Sequence, residues 1–107
     1  LIISITWRID IYNFFTLQRQ SDDLIYEFDR RVASNGEIAY QRRDQDLWIT
    51  YRDSDLGWVA YDEESAEVRG RPWGVLPKDQ DPDHPPEGEW VSKKNEKAYV
   101  YILKYIP

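Results

Sequence analysis

The sequence predicts a mainly β domain: an antiparallel sheet, curled, packed as a sandwich or closed as a small barrel, with one short helix against it. Two observations carry that expectation. Short apolar stretches alternate with polar residues at period 2 rather than 3.6. Between them lie brief polar turns rich in Asp, Asn, Ser and Gly. A length of 107 residues suits one domain spanning 1–107, large enough to bury a core without metal or disulfide.

Residues 1–11 read as a half-buried strand, with Leu1, Ile3, Ile5, Trp7, Ile9 and Ile11 on one face and Ser4, Thr6, Arg8 and Asp10 on the other. Residues 22–33 admit two readings. As a helix, Ser21 is the N-cap, Asp22 and Asp23 lie in the first turn, and Arg30 and Arg31 in the last. Leu24, Ile25, Phe28 and Val32 then share a face, and Asn35-Gly36 stops the helix. As a strand, Leu24, Tyr26 and Phe28 share a face and Asn35-Gly36 becomes a hairpin turn. The agreement of cap, charge and stop signals favours the helix.

From 37 to 70 the expected strands are Glu37–Arg43, Leu47–Arg52, Trp58–Asp62 and Ala66–Gly70, an antiparallel meander. In the second, Leu47, Ile49 and Tyr51 face one way and Trp48, Thr50 and Arg52 the other. Residues 71–89 hold five of the six prolines and read as a long, acidic, Pro-rich loop, since Pro interrupts a ladder. Loops of that length in compact domains are commonly functional. A last strand, Ala98–Ile106, is apolar on both faces and is expected near the sheet centre, as is the first.

The chain has no Cys, which excludes disulfides, thiolate nucleophiles and Cys-ligated zinc. No stretch is long and charge-free enough for a transmembrane helix, and no signal peptide is read, so the expected location is cytoplasmic. Net charge is −6 and uneven: residues 44–89 hold thirteen acids against four bases, the remainder seven against ten. Such a field steers basic partners and repels nucleic acid. Arg30, Arg31, Arg42 and Arg43 could form a small basic patch, for which salt bridges are the simpler use.

Catalytic signals are weak. Asp79-x-Asp81-x-Asp83 resembles the start of a calcium loop, but His84 occupies the Gly position and Trp90 that of the bidentate Glu, so no metal is expected. His84, the only His, is expected to be exposed. The Asp pairs flank turns, where Asp bonds the backbone two residues on. There is no phosphate-cradling Gly motif. No enzyme activity and no cofactor are expected.

The remaining signal is aromatic: five Trp, eight Tyr and three Phe. Trp48, Trp58 and Trp90 are expected in the core and Trp73 at its end, with one or two of the rings exposed. The leading expectation is a non-catalytic binder of a basic protein surface, such as an inhibitor, an immunity-type protein or an accessory subunit. Asp53, Asp55, Asp62, Glu63, Glu64, Asp79, Asp81 and Asp83 would steer the partner, and Trp73 and Arg71 would anchor it. The alternative is a carbohydrate-binding module using Trp and Tyr as stacking platforms.

Overall fold

A computed structural model describes residues 12–107. The strand expected over 1–11 lies outside them. The described chain forms eight antiparallel strands in sequence order: β1 Phe14–Arg19, β2 Ile25–Val32, β3 Ile38–Arg42, β4 Leu47–Tyr51, β5 Trp58–Asp62, β6 Glu67–Pro72, β7 Gly88–Lys94 and β8 Lys97–Tyr105. Each pairs with its sequence neighbour, and β8 pairs back onto β1, closing an up-and-down barrel. Closure leaves no edge strand among the described residues. In this seam Leu17 lies opposite Leu103 and Phe15 opposite Tyr105, which accounts for the buried face of β8, whereas Val100 on its other face is 40% exposed.

Alternation decides what fills the lumen. Phe15, Phe28, Tyr40, Ile49, Trp58, Trp90 and Leu103 are buried almost completely. Phe15 stacks on Phe28 at 5.1 Å between centroids and tilts against Tyr40 at 4.8 Å. Leu47 and Tyr51 pack beside Ile49, as the alternation predicts. Of the three Trp expected in the core, Trp58 and Trp90 are there. Trp48 is only half-buried, its indole donating to Asp46 at 2.7 Å.

Residues 22–33 are not a helix: β2 occupies Ile25–Val32. The features that resembled helix caps serve hairpin turns instead. Asp22 Oδ1 accepts the Leu24 N–H at 3.2 Å, and Asp23 takes a left-handed φ of 61°. At the other end Gly36 has φ 84°, and Asn35 Oδ1 accepts the Glu37 N–H at 3.0 Å. Asp, Asn and Gly supply both helix caps and turns, so they mark a boundary without naming the element. The sheet settles it: β2 pairs with both β1 and β3, placing Tyr26 and Phe28 inward.

The long loop is also shorter than the sequence predicts. Pro72 still pairs opposite Trp90, and Gly88 already pairs opposite Leu103, leaving 73–87 as the connection. Within it Pro77–Asp79 makes one 3₁₀ turn. Two strands, β1 and β7, were not anticipated.

Candidate functional site

In an up-and-down barrel, successive turns fall at alternate ends. Turns 33–37 and 52–57, the 73–87 connection and the chain's exit after β8 share one end. Turns 20–24, 43–46, 63–66 and 95–96 share the other. The expected binding residues therefore separate into two groups. Asp53, Asp55, Trp73, Asp79, Asp81 and Asp83 gather at the first end, with Arg71 on the nearby part of β6. Asp62, Glu63 and Glu64 lie at the opposite end.

The first end is stoppered by 73–87. Its backbone carbonyls accept from aromatic side chains of the barrel: Trp58 Nε1–H donates to Asp81 O at 2.7 Å and Trp90 Nε1–H to Pro86 O at 2.9 Å, while the Tyr105 hydroxyl donates to Pro85 O. Pro85 is fully buried. Burial pushes the Tyr105 phenol well above its ordinary pKa, with Tyr40, Glu87 and Tyr12 adding to the rise, so the hydroxyl keeps its proton for Pro85. Gln80, the one buried polar side chain of the described core, crosses between loop and turn. Its Oε1 accepts the Trp58 backbone N–H and its Nε2 donates to Val75 O. His84, expected to be exposed, is half-buried and stacks on Tyr12 at 3.9 Å with rings 10° from parallel. It also lies 3.6 Å from Asp81.

The neighbouring turn is equally fixed. Asp53 Oδ1 accepts the N–H groups of Asp55 and Leu56 at 2.9 and 2.8 Å, the Asp turn chemistry the sequence predicts. Asp81 Oδ1 does the same for Asp83 at 2.8 Å. Leu56 and Leu76 are 55% and 61% exposed at the same end as Trp73, which is 69% exposed. The Trp73 N–H extends the β6–β7 ladder to Glu89 O at 2.9 Å, so backbone pairing positions its indole. The loops of this end carry Glu37, Asp53, Asp55, Asp79, Asp81, Asp83 and Glu87 against Arg52 and Lys78.

At the opposite end Asp62 is occupied locally. It accepts the Glu64 N–H at 3.0 Å and lies 3.4 Å from Arg69. Burial raises its pKa, but the Ser65 and Glu64 N–H groups and Arg69 outweigh that and hold it below the usual carboxylate range. Three of the four arginines of the expected basic patch lie against carboxylates. Arg43 pairs with Asp29 and Glu27, Arg31 lies 3.8 Å from Asp29, and Arg42 turns inward to pair with Asp44. Among the described residues no three of His, Cys, Asp and Glu converge to hold a metal, and no helix is long and apolar enough to cross a membrane.

Leu56, Leu76 and Gln80 escaped the sequence reading. Their roles depend on which loops share an end, and that becomes visible only once the barrel closes. Comparison with protein-family models, curated proteins and solved structures found no match.

Proposed function

We propose that this chain is a non-catalytic binding module that recognises a basic protein surface with its stoppered end, as an inhibitor, an immunity-type protein or an accessory subunit does. The observation that carries the reading is the exposure of Trp73 among carboxylates on a loop held down by Trp58, Trp90 and Tyr105. A large aromatic ring presented on ordered backbone loses little entropy on binding, and indoles are over-represented among dominant interface residues. Carboxylates around it raise the encounter rate with a positive partner. Asp53, Asp55, Asp79, Asp81 and Asp83 belong to this face; Asp62, Glu63 and Glu64 do not.

The test is affinity capture from the native source at low ionic strength, with salt elution, using wild type beside three variants. Trp73→Ala and the pair Asp53→Asn/Asp55→Asn should each lose the captured basic protein. Glu63→Gln/Glu64→Gln at the far end should retain it. Equal capture by all four would overturn the assignment of the face. A salt-insensitive change in Trp fluorescence on titration with oligosaccharides, with no protein captured, would transfer the function to carbohydrate binding.

A further inference from the structure

Among the described residues nothing stoppers the far end of the barrel: none of its turns exceeds five residues. Beneath it the lumen is incompletely filled. An inner space of about 60 Å³ lies against Leu17, Phe28 and Trp90, and an outer vestibule of about 340 Å³ opens above it. The space has a structural origin. Gly70 lies opposite both Ala60 and Ser92, so three adjacent strands present a row of small residues to the lumen. The row cannot simply be enlarged at its centre, because a Cβ on Gly70 would come within 2.9 Å of the Val91 carbonyl oxygen.

Basic side chains line this opening, and carboxylates of the surrounding turns, Asp22 and Asp44, pair with two of them at its rim. Arg19, Arg42, Arg69 and Lys94 line the vestibule, with Asp62 the one carboxylate among its lining residues. Arg42 and Arg69 line the inner space as well, so two guanidinium groups stand at the neck between an apolar chamber and the vestibule. Arg42 is held there by Tyr26, whose ring centroid is 3.8 Å from Cζ, and by Asp44, which takes Nε and Nη2. Its Nη1 donates to no described residue. Arg69 reaches Asp62, Ser65 and Glu67 only at 3.2–3.6 Å, long for charged hydrogen bonds, so its donor capacity is not saturated.

We infer that this opening is a binding cup for a short-chain organic carboxylate, the head group held between Arg42 and Arg69 and the alkyl end inside the barrel against Trp90. A guanidinium binds carboxylate through a fork of parallel N–H donors, and a partly dry neck strengthens that contact. The inner chamber is much smaller than the roughly 150 Å³ that accommodates a benzene ring, which limits the buried part to a few carbons. Asp62 repels a second negative charge, which favours a monoanion. This cup is at the opposite end from the proposed protein-binding face and does not depend on that reading.

The test follows the Trp90 indole N–H signal by NMR while the full chain is titrated with acetate, isovalerate, octanoate, isovaleramide and isopentylammonium. Saturable shifts with isovalerate, weaker shifts with acetate and none with the amide or the amine are expected. Arg42→Gln should weaken isovalerate at least about tenfold, the scale of one charged hydrogen bond. Ser92→Leu, which fills the chamber without touching a charge, should abolish the shift while the thermal melt remains cooperative. Equal responses to isovalerate and isovaleramide in wild type would overturn the anion assignment, and no response to any probe would overturn the cup. The wild-type series decides both points even if a variant fails to fold.

Discussion

Gln80 Oε1 accepts the backbone N–H of Trp58 at 2.8 Å across 22 residues of sequence, and the same side chain donates to Val75 O at 3.0 Å. One buried amide thus ties the first residue of β5 to the loop that closes the barrel. Trp58 is therefore fixed twice, by its backbone through Gln80 and by its indole through Asp81. Removing the amide leaves a buried N–H and a loop carbonyl without partners. Gln80→Ala is expected to cost about 1–3 kcal/mol and to lower the midpoint of thermal unfolding by several degrees. It should also speed hydrogen exchange at the Trp58 indole. An unchanged melt and unchanged exchange would show that the loop is held by its prolines alone.

Gly57 lies directly against this amide. Its φ is +68°, and an added Cβ would meet Gln80 Oε1 at 2.4 Å. The amide is the end of a flexible side chain, but its two hydrogen bonds hold it in place. Gly57→Ala therefore combines left-handed backbone strain, about 1 kcal/mol, with displacement of Gln80. Its destabilisation should exceed that of Gly36→Ala, where φ is +84° but a Cβ would meet nothing within 4 Å. Chemical denaturation of the two variants compares them directly.

Thr50 Oγ1 is buried and has no hydrogen-bond partner. Val has nearly the same shape and no hydroxyl, so Thr50→Val removes an unsatisfied group without opening a cavity. A stability gain of up to about 1 kcal/mol is expected from denaturant midpoints. A loss would mean that the hydroxyl is satisfied in solution.

Acid should weaken the fold through paired carboxylates. Arg19 holds Asp22 down to about 2, and Arg43 and Arg42 hold Asp29 and Asp44 below their ordinary range. Because the folded-state values are depressed, the stabilisation is complete above the unfolded value of about 3.9. It is lost as pH falls through the folded values. Thermal melts should change little in these contributions between pH 5 and 7 and decline from about pH 4 toward 2. The pairs are exposed, so the decline should be modest and should shrink in salt. Arg43→Gln removes the stronger of the two cations that hold Asp29 down, leaving Arg31, and should flatten part of the curve.

The β character was legible because period-2 alternation survives in strands such as Leu47–Tyr51 and because polar turns bound short apolar runs such as Trp58–Asp62, the latter with the bounds its sequence suggests. The strand over 25–32 was misread because Asp22, Asp23 and Asn35-Gly36 are equally good turn and cap residues, and local chemistry does not record that Phe28 must meet Phe15 across β1. Strand β7 was hidden by the proline tract before it and by charged residues at its end; only Trp90 hinted at burial. A small barrel was one of three architectures the sequence allowed, and the choice among them was not legible, since closure depends on the pairing of β1 with β8. For that reason the acidic residues read as one set divide between two ends. The sequence reading left open whether Trp73 plugs the end of the core or stands exposed, and the structure exposes it.

The most direct measurement of the central claim is the association rate of the captured basic partner as a function of ionic strength, for wild type and Asp53→Asn/Asp55→Asn. Steering by the stoppered end predicts a rate that falls steeply with salt in the wild type, a shallower slope in the variant, and dissociation rates that differ little. Identical slopes, or a rate indifferent to salt, would contradict it.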